Sequence, residues 1–295
     1  FAACGTVGAL SAWLWAARRT SRLTDSALLA VRLLPTASAL FAVALSLLAF
    51  ALFEHRGHEE TGLVLRSLAG LGLVLIVHAS WRAWRLHRRT RRTLTQWMSS
   101  ARPVTLPGID LPIFMVDSTF PVVAVVGLIR QRIVIARSVL EGCAPDELRA
   151  ILAHERVHID RHDNVRRAIF ATAPDVLAWL PISDRLQIAW HDRCEETADD
   201  GAGRLGDRGR VLLAQALIRV ARLTPVPPSI HNLPASALYR GEDLTRRIHR
   251  LLGPPPAIAA PSRRLRYLVT LAALPPILAN RPIHDLVEVA VTWLP

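Results

Sequence analysis

His154, Glu155 and His158 stand at the spacing His-Glu-x-x-His. On a helix, side chains four residues apart stack on one face, so both imidazoles can reach a single zinc ion. Glu155, one step round from His154, can reach a water at that ion and act as general base. Two neutral imidazoles on a zinc with a neighbouring carboxylate are the equipment for hydrolysing a peptide bond. Such a zinc needs a third protein ligand, and a carboxylate from a second helix is one solution. The acidic stretch His191–Asp200 offers two. Glu195 is the preferred ligand, because Asp199 lies four residues on, on the same helix face, where it can hydrogen-bond a ligating imidazole. Glu196 is the competitor, with Asp200 as its own i+4 partner. Without the His-Glu-x-x-His spacing the same stretch would read as a solvated acidic helix.

The segment around the motif has the marks of a buried helix. Pro145 suits the first helical position, and Asp146 and Glu147 place negative charge in the first turn. Leu148, Ile151, Leu152 and Val157 supply an apolar face. Ala144 stands where a capping Ser or Thr is expected, so the start of the helix leans on Pro145. His162 extends the four-residue spacing, but it lies two turns from His154 and reads as a solvated helix residue. Ahead of this helix, Pro112–Val116, Val122–Val126 and Arg132–Ala136 read as short strands, separated by Asp117, Ser118, Pro121 and Gly127. A small sheet here can support the helix, and an edge strand can also pair with a substrate peptide. After it, residues 164–192 read as helices on the membrane surface or under the site, broken by Pro174 and Pro181. An amphipathic helix is expected over 209–223 and a short basic helix over Asp243–Leu252, set in a Pro-rich surround.

The whole chain is too apolar for an ordinary soluble domain. Hydrophobic residues make up 51% of the 295 and the mean hydropathy is +0.28. Residues 1–17, 33–53 and 62–81 read as three membrane spans. The stretch Tyr267–Ala279 reads as a fourth, although it falls short of the ~20 residues of a full crossing. The net charge of +12 comes entirely from Arg, since the chain contains no Lys. Arg18, Arg19 and Arg22 follow the first span, an acidic loop with Glu54, Glu59 and Glu60 follows the second, and Arg82, Arg85, Arg88, Arg89, Arg91 and Arg92 follow the third. Positive charge favours the cytoplasmic side, which puts the zinc helix in the cytoplasm. The arginines therefore read as juxtamembrane charge, and no direct nucleic-acid binding is expected. The three cysteines show no pairing pattern. Residues ahead of Phe1 are expected.

Taken together, the three N-terminal spans, the strand segment Gly127–Ile135, the motif helix running on to Asn164, and Glu195-Glu-Thr-Ala-Asp199 resemble the BlaR/MecR-type antirepressor metallopeptidases. These form family fifty-six of the metallopeptidases, integral-membrane gluzincins. The resemblance implies a mainly α membrane protein whose transmembrane helices flank a cytoplasmic α+β zincin-like (gluzincin) domain with a small sheet. The spans would occupy 1–84, the peptidase domain 85–264, and the fourth span with its tail 265–295. It implies one zinc per chain on His154, His158 and Glu195, with Glu155 as catalytic base. Asp199 and Asp163 match positions that the family also fills with Asp, and Asp163 can orient a ligand or cap a neighbouring element. It implies a cell-membrane signalling protease whose partners are the bilayer and a protein substrate, a cytoplasmic transcriptional repressor or the protease itself. The β-lactam sensors of the family use a Ser-x-x-Lys nucleophile, which a chain without Lys does not offer, so no β-lactam binding is expected. His191 and Arg193 are the nearest groups to serve as oxyanion donors. Two rivals are an HtpX/Ste24-like quality-control protease and a non-catalytic scaffold with structural zinc.

Overall fold

The computed structural model describes residues 23–37, 63–106, 111–118, 120–174, 181–206, 208–223 and 241–254. The expected first and fourth spans lie outside these residues, as does the second beyond residue 37. The described residues are mostly helical with one four-stranded sheet. After a helix that begins at Asp25, they include in chain order α1 (Leu63–Ser99), β1 (Arg102–Val104), β2 (Ile113–Val116), β3 (Val123–Val126) and β4 (Arg132–Ala136). Then come α2 (Arg137–Gly142), α3 (Pro145–Asp160), α4 (Asp163–Thr172), α5 (Pro181–Ala202), α6 (Gly209–Leu223) and α7 (Gly241–Leu252). The chain divides into two compact units.

The unit formed by Arg82–Ala171 and Asp192–Ala257 contains the sheet and the motif helix. The strand order is β1-β2-β4-β3, with β2 and β4 parallel and the outer pairs antiparallel. Three of the strands fall on the apolar runs expected from sequence. β1 was not foreseen, because a three-residue Arg-Pro-Val run carries no period-2 signal. Alternation along the strands buries both faces. Ile113, Val123, Val125, Ile133 and Ile135 face a core shared with α2, α3 and α6. Val116, Val126 and Val134 point the other way and meet Leu94, Trp97 and Met98, from the last turns of α1. The β3–β4 turn requires Gly127: its φ is +93°, and a Cβ there would stand 2.4 Å from the Arg130 carbonyl oxygen.

Helix α3 starts at Pro145 as expected, but its cap differs from the expectation. Ala144 offers no side chain, and Glu147 reaches back instead, its Oε2 accepting the Ala144 N–H at 2.7 Å. This is the reciprocal half of a capping box. The helix ends sooner than the His-rich run suggested. His162 is not a helix residue: it adopts φ 54° in the turn between α3 and α4. Histidine, with Asn and Asp, is among the non-glycine residues enriched in the left-handed region. The turn starts α4 at Asp163.

The other unit includes residues 23–37, 63–81, 172–174 and 181–191 among those described. The Thr24 hydroxyl accepts the Ala27 N–H at 3.3 Å and caps the helix that begins at Asp25. That helix buries Leu28 and Val31. The expected third span lies in α1, which continues unbroken through the basic run to Ser99. Apolar side chains along it are exposed, among them Leu73 at 63% and Val77 at 59%. Among the described residues, no helix is long and apolar enough to cross a membrane.

Candidate metal centre

His154 and His158 come from the middle and last turn of α3, and Glu195 comes from α5. Helical geometry alone stacks the two imidazoles, with their Nε2 atoms 3.2 Å apart. The Glu195 carboxylate closes the triangle: Oε2 lies 3.5 Å from His154 Nε2 and Oε1 lies 3.6 Å from His158 Nε2. One ligand atom from each residue falls within 4.8 Å of the others, so the three could hold a metal ion together. The distances fit: bonds of ~2.1 Å in a tetrahedral shell separate neighbouring ligand atoms by about 3.4 Å. His154 and Glu195 are buried and the His158 side chain is nearly so, which is where two imidazoles and a carboxylate have little reason to meet except around a cation.

Helices α3 and α5 come this close because of a glycine. A Cβ on Gly201 would stand 2.3 Å from Val157 Cγ2, next door to His158 in sequence. Any side chain there would push α3 and α5 apart.

Behind each imidazole stands an aspartate. Asp199 Oδ1 lies 3.0 Å from His154 Nδ1, and Asp163 Oδ2 lies 2.8 Å from His158 Nδ1. Each carboxylate can accept a hydrogen bond from Nδ1–H and so leave the Nε2 lone pair facing the cluster. Both aspartates are buried. Asp163 reaches His158 because the His162 turn folds α4 back over the end of α3.

The structure separates the two glutamates of α5. Glu195 faces the imidazoles. Glu196 turns away, its carboxylate 2.5 Å from Arg193 Nη1 and 3.1 Å from Arg246 Nη1. Arg193 is thereby engaged, and neither it nor His191 lines the cleft over the cluster.

The residue that sequence reasoning missed is Arg247, 2% exposed on α7. Its Nε and Nη2 grip both oxygens of Asp199 at 3.0 and 2.5 Å, and its Nη1 lies 3.1 Å from Glu195 Oε2. Arg246 and Arg250 flank it, pairing with Asp192 at 3.2 Å and Asp200 at 2.8 Å. A basic helix thus lies along an acidic one. The sequence carries both charge patterns, and opposite signs on two helices were the available signal. Which of the three arginines turns inward was not readable from it.

The charges shift one another. Burial alone would raise the Glu195 carboxyl, but Arg247 and the two imidazoles hold it well below the usual range. Asp199 is lowered likewise, Arg247 outweighing burial. For His154, burial favours the neutral ring, yet its hydrogen bonds to the Asp199 and Glu195 carboxylates prevail and lift it to about 9. Glu155 is raised, chiefly by burial, against the opposing pull of the imidazoles and a hydrogen bond from the Val125 N–H. A carboxylate raised toward neutrality is suited to carrying a proton.

Glu155 joins the three cluster residues in lining a small cleft, whose other walls are Val125, Asn164 and Arg167. Edge strand β3 serves the site directly. Besides the Val125 N–H to Glu155, the Val125 and Gly127 carbonyls accept from Asn164 Nδ2 at 2.9 and 3.0 Å. At this position the strand edge supports the helix and is not open for pairing.

Compared with known proteins, the chain matches the family described as BlaR1 peptidase M56 over residues 65–249, more than half of its length and the whole of this site. No curated protein matches it.

Proposed function

Because the chain belongs to the BlaR1 peptidase family, we propose that it is a membrane zinc endopeptidase that transmits a signal by cutting a cytoplasmic protein, a transcriptional repressor or its own chain. The observation that carries this reading is the buried triangle of two imidazoles and one carboxylate with Glu155 in the same cleft. His154, His158 and Glu195 would hold the zinc. When bound, zinc supplies Lewis acidity, acidifying water and polarising a carbonyl. Glu155 takes the proton of the attacking water and delivers it to the leaving amine. Asp199 and Asp163 keep the imidazoles in the required tautomer, and Arg247 keeps Glu195 and Asp199 ionised and in place. These groups support a working base and not merely a structural ion, since a scaffold has no use for a carboxylate held in the cleft.

The membrane assignment rests on the apolar stretches 1–17, 33–53, 62–81 and 267–279. The exposed Leu71, Leu73, Val74, Ile76 and Val77 of α1 support the third of them as a lipid-facing surface. Arg placement favours a cytoplasmic peptidase domain over 85–264, between spans over 1–84 and a fourth within 265–295.

The test pairs zinc content with proteolysis of labelled casein by detergent-purified full chain. Wild type is expected to hold about one zinc and to cleave, and Glu155→Gln to hold zinc and not cleave. Zinc with no cleavage in either protein would favour the scaffold. Undiminished cleavage by Glu155→Gln would remove the mechanism.

A further inference from the structure

We propose that Arg167 is the second electrophile of the cleft, the donor that faces the negative charge formed on the scissile carbonyl oxygen. The inference rests on the zinc-peptidase reading and adds to it a residue that helix spacing did not suggest. In the hydrolytic step a water oxygen bonds to the carbonyl carbon and the C=O electron pair moves onto oxygen. The water's proton goes to Glu155 and on to the nitrogen as the C–N bond breaks. The oxyanion needs a preorganised donor beyond the metal, about 2.7–3.1 Å from where it forms. Arg167 can donate without losing a proton, because guanidinium stays charged throughout.

Four observations converge on it. Among the described residues Arg167 is the only arginine lining the cleft, together with Glu155 and Glu195. Its Nε is buried and has no hydrogen-bond acceptor among the described residues. Leaving a buried donor unsatisfied is costly, so its partner is expected to arrive with a ligand. The guanidinium is also steered. Asn164, three residues earlier and so on the same face of α4, is bound through Nδ2 to the Val125 and Gly127 carbonyls. That orientation leaves Asn164 Oδ1 toward Arg167 Nη1, 3.4 Å away. Finally, the donors that sequence proximity suggested do not serve: Arg193 is bound to Glu196, and neither it nor His191 lines the cleft.

The test needs no natural substrate. A phosphinic tripeptide with apolar side chains mimics the tetrahedral oxyanion, and a hydroxamate with the same side chains does not. Affinities of both for zinc-loaded full chain are compared in wild type, Arg167→Met and Arg167→Lys, with zinc content measured alongside. Arg167→Met is expected to lose ~10²-fold toward the phosphinate, to stay within about threefold toward the hydroxamate, and to keep its zinc. Arg167→Lys, which restores the charge, is expected to recover part of the loss. Unchanged phosphinate affinity, or equal losses for both probes, would overturn the proposal, the first pointing to a carboxylate-binding role that apolar probes do not call on. Wild type without zinc would instead overturn the peptidase reading beneath it.

Discussion

Helices α3 and α5 contribute to the same cluster but are held by different forces. Helix α3 is held by its apolar face: Ala150, Ile151 and Leu152 are buried in the main core with the sheet. Its two imidazoles are placed by the helix itself, one turn apart, and any well-packed helix with this sequence would present them together. Helix α5 buries Cys194, Ala198 and Ala202 as well, but it carries Glu195 among Asp192, Glu196, Asp199 and Asp200, and these side chains are ordered by charge. Arg246, Arg247 and Arg250 of α7 pair with Asp192, Glu196, Asp199 and Asp200, while Arg247 alone reaches Glu195. The difference teaches that one part of the centre is local and robust, and the other depends on a distant helix some fifty residues along the chain.

Substitutions can break that contrast. The largest effect is expected from Glu195→Ala, which removes a ligand and leaves Arg247 half-paired: zinc measured on the purified protein should fall to near nothing. Glu196→Ala, a neighbour on the same helix, should leave it near one per chain. The reverse pattern would move the third ligand to Glu196.

Arg247→Met comes next. Removing one partner of a buried ion pair costs about 3–5 kcal/mol, because the remaining charges lose their compensation. A clear drop in melting temperature and weaker zinc binding are expected, while Arg246→Met, at the more exposed end of the same array, should change stability by less than about 1 kcal/mol. Equal effects of the two would mean that α7 contributes only general packing.

Gly201→Ala tests the spacing between the two helices. The new methyl would meet Val157, whose β-branched side chain has little rotameric freedom in a helix. A loss of about 1–3 kcal/mol is expected from overpacking, with zinc affinity falling alongside stability. Stability lost with zinc affinity intact would show that the triangle tolerates a shift of α5.

The smallest expected effect is a slope with pH. In metal-free protein the His154 pKa is raised from 6.5 to about 9. A proton held more tightly in the folded state stabilises fully below the unfolded value and ceases to do so as the pH rises through about 9. Thermal melts of metal-free protein should therefore decline between pH 6.5 and 9. Zinc-loaded protein should not decline there, because the metal requires neutral imidazole. A flat metal-free profile would show that Asp199 and Glu195 do not hold that proton. On the acid side, the lowered carboxyls of Asp199 and Glu195 stabilise above their usual range and lose that contribution as pH falls through their folded values.

Much of this site was legible because its chemistry is written in short-range spacing. His154, Glu155 and His158 follow from the period of one helix, and Asp199 from its four-residue offset to Glu195. Strands β2, β3 and β4 follow from apolar runs bounded by turn residues, α6 from an amphipathic period and α7 from a short basic run. What the tertiary structure alone decided is non-local. Glu195 and Glu196 are adjacent, and only the rotation of α5 against α3, permitted by Gly201, turns one inward and the other toward Arg193 and Arg246. Asp163 meets His158 only because His162 takes a left-handed turn, where the sequence suggested a continuing helix. Arg247 and Arg167 enter the site from α7 and α4, and no periodicity within either helix marks which arginine faces in. Helix spacing is set by backbone hydrogen bonds a few residues long, whereas the rotation of one helix on another is set by packing between segments the chain brings together only on folding.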